Sequence, residues 1–216
     1  MEALAGIILA PEEMAVWRQM AGAKQRRGQW LRGRIAAKDA VRSFVKENLR
    51  IELSPEEILI SNDPNGRPSA SGKWSDKLKR RLCISISHAG PVSAAVADGI
   101  TGIGIDIELI GRKQDGLEEE GFCQEERALL SGIAGHMCND WRLRAWCAKE
   151  SLSKALGSGL EGNPSNILLH RVNPETGEIK LRLSDQFAKR FPGYADRIFS
   201  AFTGCDRGLI FAISTL

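Results

Sequence analysis

Two carboxylates lie one residue apart in an apolar stretch, residues 102–109, which reads Gly-Ile-Gly-Ile-Asp-Ile-Glu-Leu. The alternation has the period of a β-strand, so Asp106 and Glu108 share one face and the isoleucines the other. Two carboxylates about 6 to 7 Å apart on one face can hold a hard cation such as Mg²⁺, and they repel each other without it. Gly104, on the same face, predicts room for a bulky ligand at the backbone. The pattern is equally typical of a half-exposed strand.

A second charged group lies in the segment Trp-Cys-Ala-Lys-Glu-Ser-Leu-Ser-Lys, residues 146–154. Helical spacing places Glu150 and Lys154 on one face, with Lys149 beside them. By itself, a Glu–Lys pair four residues apart is an ordinary surface salt bridge. Combined with the strand acids, Glu150 could be a third metal ligand or a general base, and the two lysines could neutralise phosphate oxygens. Such a set favours phosphoryl transfer.

Ser87 and His88 end a predicted strand directly before the turn residues Ala89 and Gly90. A hydroxyl, an imidazole and the backbone donors of a turn can contact a phosphate together. A structural role for a lone histidine is an equally good interpretation. The sequence contains no Gly-x-Ser-x-Gly motif, which argues against a serine hydrolase.

The elements that position these groups follow from periodicity, capping residues and turns. Helices are predicted from Pro11 onward and at about 25–48, 140–156 and 185–191, and strands at about 82–88, 92–97, 102–109, 165–170, 178–184, 197–202 and 208–214. Residues 54–57 have the capping-box spacing, and residues 63–68 form a loop. No repeat is evident from the residues alone.

Two basic segments remain open to two interpretations each. On the helix at 25–48, Arg27, Arg34 and Lys38 share a face with Trp30, which indicates either a solvated cationic face or a phosphate contact. The run at 77–81, Lys-Leu-Lys-Arg-Arg, indicates either a solvated turn or a segment that receives an anion.

Composition excludes several classes of protein. The 216 residues are 43% hydrophobic, which is enough for a sizeable core, and a formal net charge of +3 is too small to indicate nucleic-acid binding. The five cysteines include no Cys-x-x-Cys pair and are predicted to be free thiols rather than zinc ligands. No apolar run approaches the roughly 18 residues of a membrane span, so we expect a cytoplasmic protein.

The ordered motifs resemble those of the 4′-phosphopantetheinyl transferases, in the larger type that activates carrier proteins of polyketide, nonribosomal peptide and fatty acid synthases. The matching segments are residues 30–38, 66–68, 85–88, 104–108, 122–126 and 146–154. The resemblance implies transfer of the phosphopantetheine arm of coenzyme A to a serine of an apo acyl or peptidyl carrier protein, with release of adenosine 3′,5′-bisphosphate. It also implies an α+β monomer of two similar halves, 1–101 and 102–216, related by a pseudo-twofold axis with the active site in the cleft between them.

The resemblance also implies roles for individual residues. Asp106, Glu108 and Glu150 would hold Mg²⁺, Glu150 or a metal-bound water would be the base, and Lys149 and Lys154 would contact the pyrophosphate. The catalytic residues would thus be Asp106, Glu150 and Lys154. Coenzyme contacts are expected from Ser87, His88, Arg67 near the adenosine and Arg34 near the 3′-phosphate, and Glu126 would be an acid near the site. Arg67 stands where lysine is usual in the family.

Two other classes of protein remain as alternatives. A noncatalytic coenzyme A or nucleotide binder would need Ser87 and His88 but not the three acids together. A Mg²⁺-dependent nuclease usually carries its acid and lysine on a strand, whereas Glu150 and Lys154 have helical spacing.

Overall fold

The computed structural model describes residues 1–20, 24–64, 66–100, 102–111, 121–133, 138–160 and 163–216. The chain divides into two compact units, Met1–Ile103 and Gly104–Leu216. Both units combine helices with antiparallel strands, so the predicted α+β class is confirmed. The division into two functional halves at residues 101 and 102 stays a prediction. Within the described ranges, no helix is long and apolar enough to cross a membrane.

In the part of unit 1 that the structure describes, three α-helices accompany two hairpins. Its elements are α1 (Glu2–Ile8), α2 (Pro11–Gln19), α3 (Lys24–Leu49), β1 (Leu59–Asn62), β2 (Pro68–Ser71), β3 (Cys83–Ala89) and β4 (Val92–Asp98). Strands β1 and β2 pair antiparallel, as do β3 and β4. Helix α3 buries Ala37, Val41 and Val45, which recur at helical spacing, against Ile60 and Ile84.

Unit 2 contains one long helix against a five-stranded sheet. Its elements are β5 (Ile103–Leu109), α4 (Gln124–Ser131), α5 (Cys138–Leu156), β6 (Ile167–Asn173), β7 (Glu178–Leu183), α6 (Asp185–Ala188), β8 (Phe199–Asp206) and β9 (Leu209–Thr215). The strand order is β5-β9-β8-β7-β6. Leu143, Ala148 and Leu152 of α5 pack into the same core as Leu181 and Ala212 of the sheet.

Most of the predicted elements are confirmed, including α3, α5, both strands of the hairpin at 83–98 and the four C-terminal strands. Ser54 and Glu57 form the predicted capping box at a short 3₁₀ helix, Pro55–Glu57. Among the α-helices and strands of the described residues, α1, α4, β1 and β2 were not predicted. Strands β1 and β2 flank the loop that was predicted at 63–68, of which Pro68 begins β2 and residue 65 lies outside the described residues.

A buried ion pair ties the elements of unit 1 together. Glu13, the third residue of α2, accepts hydrogen bonds from the backbone N–H of Ala10 (2.9 Å) and of Ile60 in β1 (3.2 Å). Its carboxylate also pairs with Lys38 Nζ of α3 at 2.5 Å. Lys38 Nζ donates further to the carbonyl oxygens of Ile8 (2.8 Å) and Pro55 (3.0 Å).

Unit 2 contains a buried pair of the same design. Glu126, the third residue of α4, accepts from the backbone N–H of Cys123 (2.9 Å) and of Leu169 in β6 (2.7 Å), and pairs with Lys149 Nζ of α5 at 2.8 Å. Lys149 Nζ donates further to the carbonyl oxygens of Gly121 (3.0 Å) and Pro164 (3.3 Å).

The two buried pairs correspond position by position. In each unit, the lysine ammonium donates to two backbone carbonyl oxygens. One belongs to the residue five positions before the glutamate. The other belongs to the residue five positions before the strand residue whose backbone N–H donates to that glutamate. Burial lowers the pKa of Lys38 and of Lys149, and the partner glutamate opposes the shift. The two units therefore repeat one structural pattern, although their sequences share no evident repeat.

Candidate active site

The close approach of β5 to α5 builds the site in unit 2. A Cβ atom added to Gly104 would overlap the carbonyl oxygen of Ser151 and lie 2.7 Å from the backbone nitrogen of Ala155. The strand therefore packs directly on the helix backbone. The prediction that Gly104 leaves room for a ligand is wrong, because the helix fills that space.

This packing brings Asp106 of β5 to Lys154 of α5. Lys154 Nζ donates to Asp106 Oδ1 at 2.7 Å and to the carbonyl oxygen of Ile105 at 3.1 Å. Asp106 is 6% exposed, so the ammonium offsets much of the cost of burying its charge. Two of the predicted catalytic residues, one from the strand and one from the helix, are thus in direct contact.

The charges of Asp106 and Lys154 also act on Glu150. Burial raises the pKa of Glu150, and the negative charges of Asp106 and, less strongly, Glu108 raise it further, whereas Lys154 lowers it. Cys147 is fully buried nearby, and burial together with the charges of Asp106 and Glu108 raises the pKa of its thiol. The three predicted acids therefore repel one another within one partly buried region.

The donor chemistry of this region fits a hard divalent cation. Its ligand atoms are carboxylate oxygens, and a cation would offset the repulsion that raises the pKa of Glu150. The side chains do not converge as they stand, since no group of three or more His, Cys, Asp or Glu residues among those the structure describes is arranged to hold a metal ion. Asp106 Oδ1 is instead in contact with Lys154.

Lys149 is not part of this group, contrary to its predicted role as a pyrophosphate contact. Its side chain is fully buried, and its ammonium is held by Glu126 and by two backbone carbonyl oxygens. Glu126, predicted as an acid near the site, caps α4 and neutralises Lys149 instead. A buried ammonium with these partners has no donor left for a phosphate.

In unit 1, His88 is held by a residue that the sequence analysis did not single out. His88 Nδ1 lies 2.7 Å from Ser93 Oγ, and the two residues are paired across β3 and β4. A Cβ atom added to Gly33 of α3 would lie 2.6 Å from His88 Cε1, so the ring packs closely against the helix. Ser87, the other predicted phosphate contact on β3, is buried. The tight turn after His88 predicts this pairing register, which was the available signal for Ser93.

Arg34 contacts protein groups on three sides. Its guanidinium pairs with Glu13 at 3.3 Å, donates to Asn62 Oδ1 at 3.3 Å and lies 4.4 Å from the centre of the Trp30 ring. Burial lowers the pKa of Arg34. Together with the fully buried Lys38, these contacts show that this part of α3 is not a solvated cationic face, and the phosphate contact stays a prediction.

Arg67 lies beside an open groove of unit 1. Its backbone N–H donates to Asp63 Oδ1 at 2.8 Å, in the loop between β1 and β2. The groove has a volume of about 560 Å³, and Arg80 and Arg81 line it as well. Arg67 thus stands among further cations, within the same unit as Ser87, His88 and Arg34.

The donor set of unit 2, three acids and a lysine on one strand and one helix, suits the binding of a divalent cation and a phosphate. A sequence profile of the 4′-phosphopantetheinyl transferase superfamily matches residues 102–201. Residues 102–201 therefore form a domain of the 4′-phosphopantetheinyl transferase superfamily, and the relatives that match the chain are named as transferases of that class.

Two relatives and one solved structure illustrate the similarity. A Synechocystis sp. protein assigned by name to the 4′-phosphopantetheinyl transferases is 23% identical, over 92% of this chain and 80% of its own length. The L-aminoadipate-semialdehyde dehydrogenase-phosphopantetheinyl transferase of Schizosaccharomyces pombe is 26% identical, over 67% of this chain and 61% of its own length. A Helicobacter pylori holo-[acyl-carrier-protein] synthase, solved in complex with coenzyme A, is 23% identical over 52% of this chain and 97% of its own, with a TM-score of 0.41.

Proposed function

We propose that this protein transfers the 4′-phosphopantetheine arm of coenzyme A to a serine hydroxyl of an apo acyl or peptidyl carrier protein. The supporting observation is the grouping of Asp106, Glu150 and Lys154 within the segment that matches the superfamily. In the reaction, a bond forms between the serine oxygen and the phosphorus that carries the pantetheine. The bond from that phosphorus to the bridging oxygen breaks, and adenosine 3′,5′-bisphosphate leaves.

Glu150 is the proposed general base for the proton of the attacking serine. Burial and the charge of Asp106 raise the pKa of Glu150, and a cation held by the same carboxylates would lower it again. Lys154 is the proposed cation for the pyrophosphate and for the charge that develops on the leaving bisphosphate. Asp106 orients Lys154 through their 2.7 Å contact.

We further propose that Asp106, Glu108 and Glu150 hold Mg²⁺. Their oxygens are hard ligands, and their mutual repulsion supports binding of a cation. When bound, the ion would neutralise pyrophosphate charge and act as a Lewis acid on phosphoryl oxygens.

The proposed coenzyme contacts are in unit 1. His88, oriented by Ser93, and the neighbouring Ser87 would contact phosphates, Arg67 the adenosine end, and Arg34 the 3′-phosphate. Lys149 is not included, because its donors are used inside unit 2. The proposed protein is a cytoplasmic monomer, and free thiols at Cys83, Cys123, Cys147 and Cys205 support a reducing compartment.

Mass spectrometry of apo carrier proteins tests the proposal. Incubation with this protein, coenzyme A and Mg²⁺ should add the mass of phosphopantetheine, and EDTA or Asp106→Ala should abolish the gain. Asp76→Ala, at an exposed acid of unit 1, is the matched control and should leave it unchanged. Bound coenzyme A without a mass gain on any carrier would favour the noncatalytic binder, and Mg²⁺-dependent cutting of nucleic acid would favour the nuclease.

A further inference from the structure

An exposed basic surface lies between the two hairpins of unit 1. It consists of Lys77, Lys79, Arg80 and Arg81, all of which are exposed. Among the residues that the structure describes, none of the four forms an ion pair with an acid. Four neighbouring cations repel one another, so this charge density costs stability unless an anionic partner offsets it.

The protein core holds the basic surface in place. Trp74 and Leu82 are 3% and 5% exposed, and Leu78 between them packs against the core of unit 1. The backbone N–H of Lys77 donates to the carbonyl oxygen of Trp74 at 3.1 Å, within a short 3₁₀ helix. The apolar residues point inward and the cations outward, so this segment is anchored rather than a loose solvated turn.

The basic surface borders the groove of about 560 Å³ that Arg67 also lines. Arg80 and Arg81 add to the cationic lining, Asp63 contributes one acid, and the remaining lining includes the apolar residues Pro68, Leu82 and Ile100. Guanidinium groups bind carboxylates through paired hydrogen bonds, and an apolar floor suits an aliphatic side chain between acids. The combination fits an acidic protein segment.

We infer that the basic surface docks an acidic face of the protein partner. This inference rests on the proposed function, under which the partner is the apo carrier protein. Nucleic acid fits less well, because the formal net charge is only +3 and Trp74, the aromatic residue of this segment, is buried and offers no stacking surface.

Charge reversal tests the inference. The variant Lys79→Glu/Arg80→Glu/Arg81→Glu should raise the KM for an acidic apo acyl carrier protein about tenfold at low salt. Its KM for coenzyme A and its kcat at saturating carrier should not change. The matched control reverses three exposed cations elsewhere, Arg18→Glu/Arg182→Glu/Lys189→Glu, and should leave the KM for carrier close to the wild-type value. Added salt should weaken carrier binding by the wild type more than by the first variant.

Each other outcome overturns the inference. An equal effect of the control variant would assign the result to net charge, and a rise in the KM for coenzyme A alone would assign the groove to the coenzyme. Tighter binding of a short single-stranded nucleic acid than of the carrier, lost in the first variant, would assign the surface to nucleic acid. Fluorescence anisotropy with a labelled carrier whose acceptor serine is alanine measures docking without turnover. This binding measurement therefore tests docking even if the protein transfers no phosphopantetheine.

Discussion

Gly104 of β5 lies directly against the carbonyl oxygen of Ser151 in α5, with no side chain between the two backbones. Two residues further along the strand is Asp106, and three residues further along the helix is Lys154. The contact of 2.7 Å between these charged groups is a consequence of the close approach at Gly104. The charged site and the packing of unit 2 therefore depend on the same glycine.

Gly104→Ala should destabilise unit 2 and reduce transfer. The added methyl meets backbone atoms of Ser151 and Ala155, which no side-chain rotation can relieve, so α5 must shift. We expect a loss of about 1–3 kcal/mol or more in the free energy of unfolding, measured with urea. Gly6→Ala in α1, with nothing within 4 Å, is the control and should be neutral or stabilise by up to about 1 kcal/mol. Equal stability of the two variants would contradict the packing described.

Lys149→Met should destabilise the protein without changing the coenzyme site. Removing the ammonium leaves the carboxylate of Glu126 buried without its cation, which costs about 3–5 kcal/mol. Lys38→Met should have the same effect in unit 1. The double variant Glu126→Gln/Lys149→Met should lose less free energy of unfolding than Lys149→Met. Below its melting temperature, Lys149→Met should keep the wild-type KM for coenzyme A. A stable variant with a raised KM would instead assign Lys149 to the pyrophosphate.

Glu150→Gln should stabilise the protein at neutral pH while it abolishes transfer. The native pKa of Glu150 is raised above the ordinary 4.5, so the native state holds this proton more tightly than the unfolded state does. The charged carboxylate therefore costs stability above the native pKa, and the cost disappears as the pH falls below 4.5. In EDTA, the melting temperature of the variant should exceed that of the wild type at pH 7. This difference should shrink as the pH is lowered. Glu12→Gln, at an exposed glutamate, should show no such trend.

Ser93→Ala should weaken coenzyme binding through His88. Loss of the hydroxyl releases His88 Nδ1, so the ring is no longer fixed against α3. Steady-state kinetics should show a KM for coenzyme A raised severalfold with little change in kcat, and Ser93→Thr should restore it. A fall in kcat with an unchanged KM would remove His88 from the coenzyme contacts.

The sequence predicted those elements that carry a clear period. Helix α3 and strand β5 show helical and alternating patterns over their whole lengths. Strands β1 and β2 were missed because each has four residues, several of them serine, asparagine or proline, without an alternating apolar pattern. Strand alternation likewise placed Asp106 and Glu108 on one strand, because it depends on local geometry alone.

The misassigned residues depend on contacts between elements that are distant in sequence. Helical spacing places Lys149 next to Glu150, yet the neighbours that bind its ammonium come from α4 and from loops, and no periodicity predicts them. The same holds for Gly104, whose neighbour Ser151 is 47 residues away. The surroundings of both Lys149 and Gly104 are therefore set by tertiary contacts.

The most direct test of the central claim is the rate of adenosine 3′,5′-bisphosphate release in a single turnover, with an apo carrier protein and increasing Mg²⁺. The wild type should release one bisphosphate for each carrier modified, only when the ion is present. Asp106→Asn and Glu150→Gln should each slow release by about 100-fold or more while coenzyme A still binds. Release at the wild-type rate by either variant, or release that is unaffected by EDTA, would contradict the account.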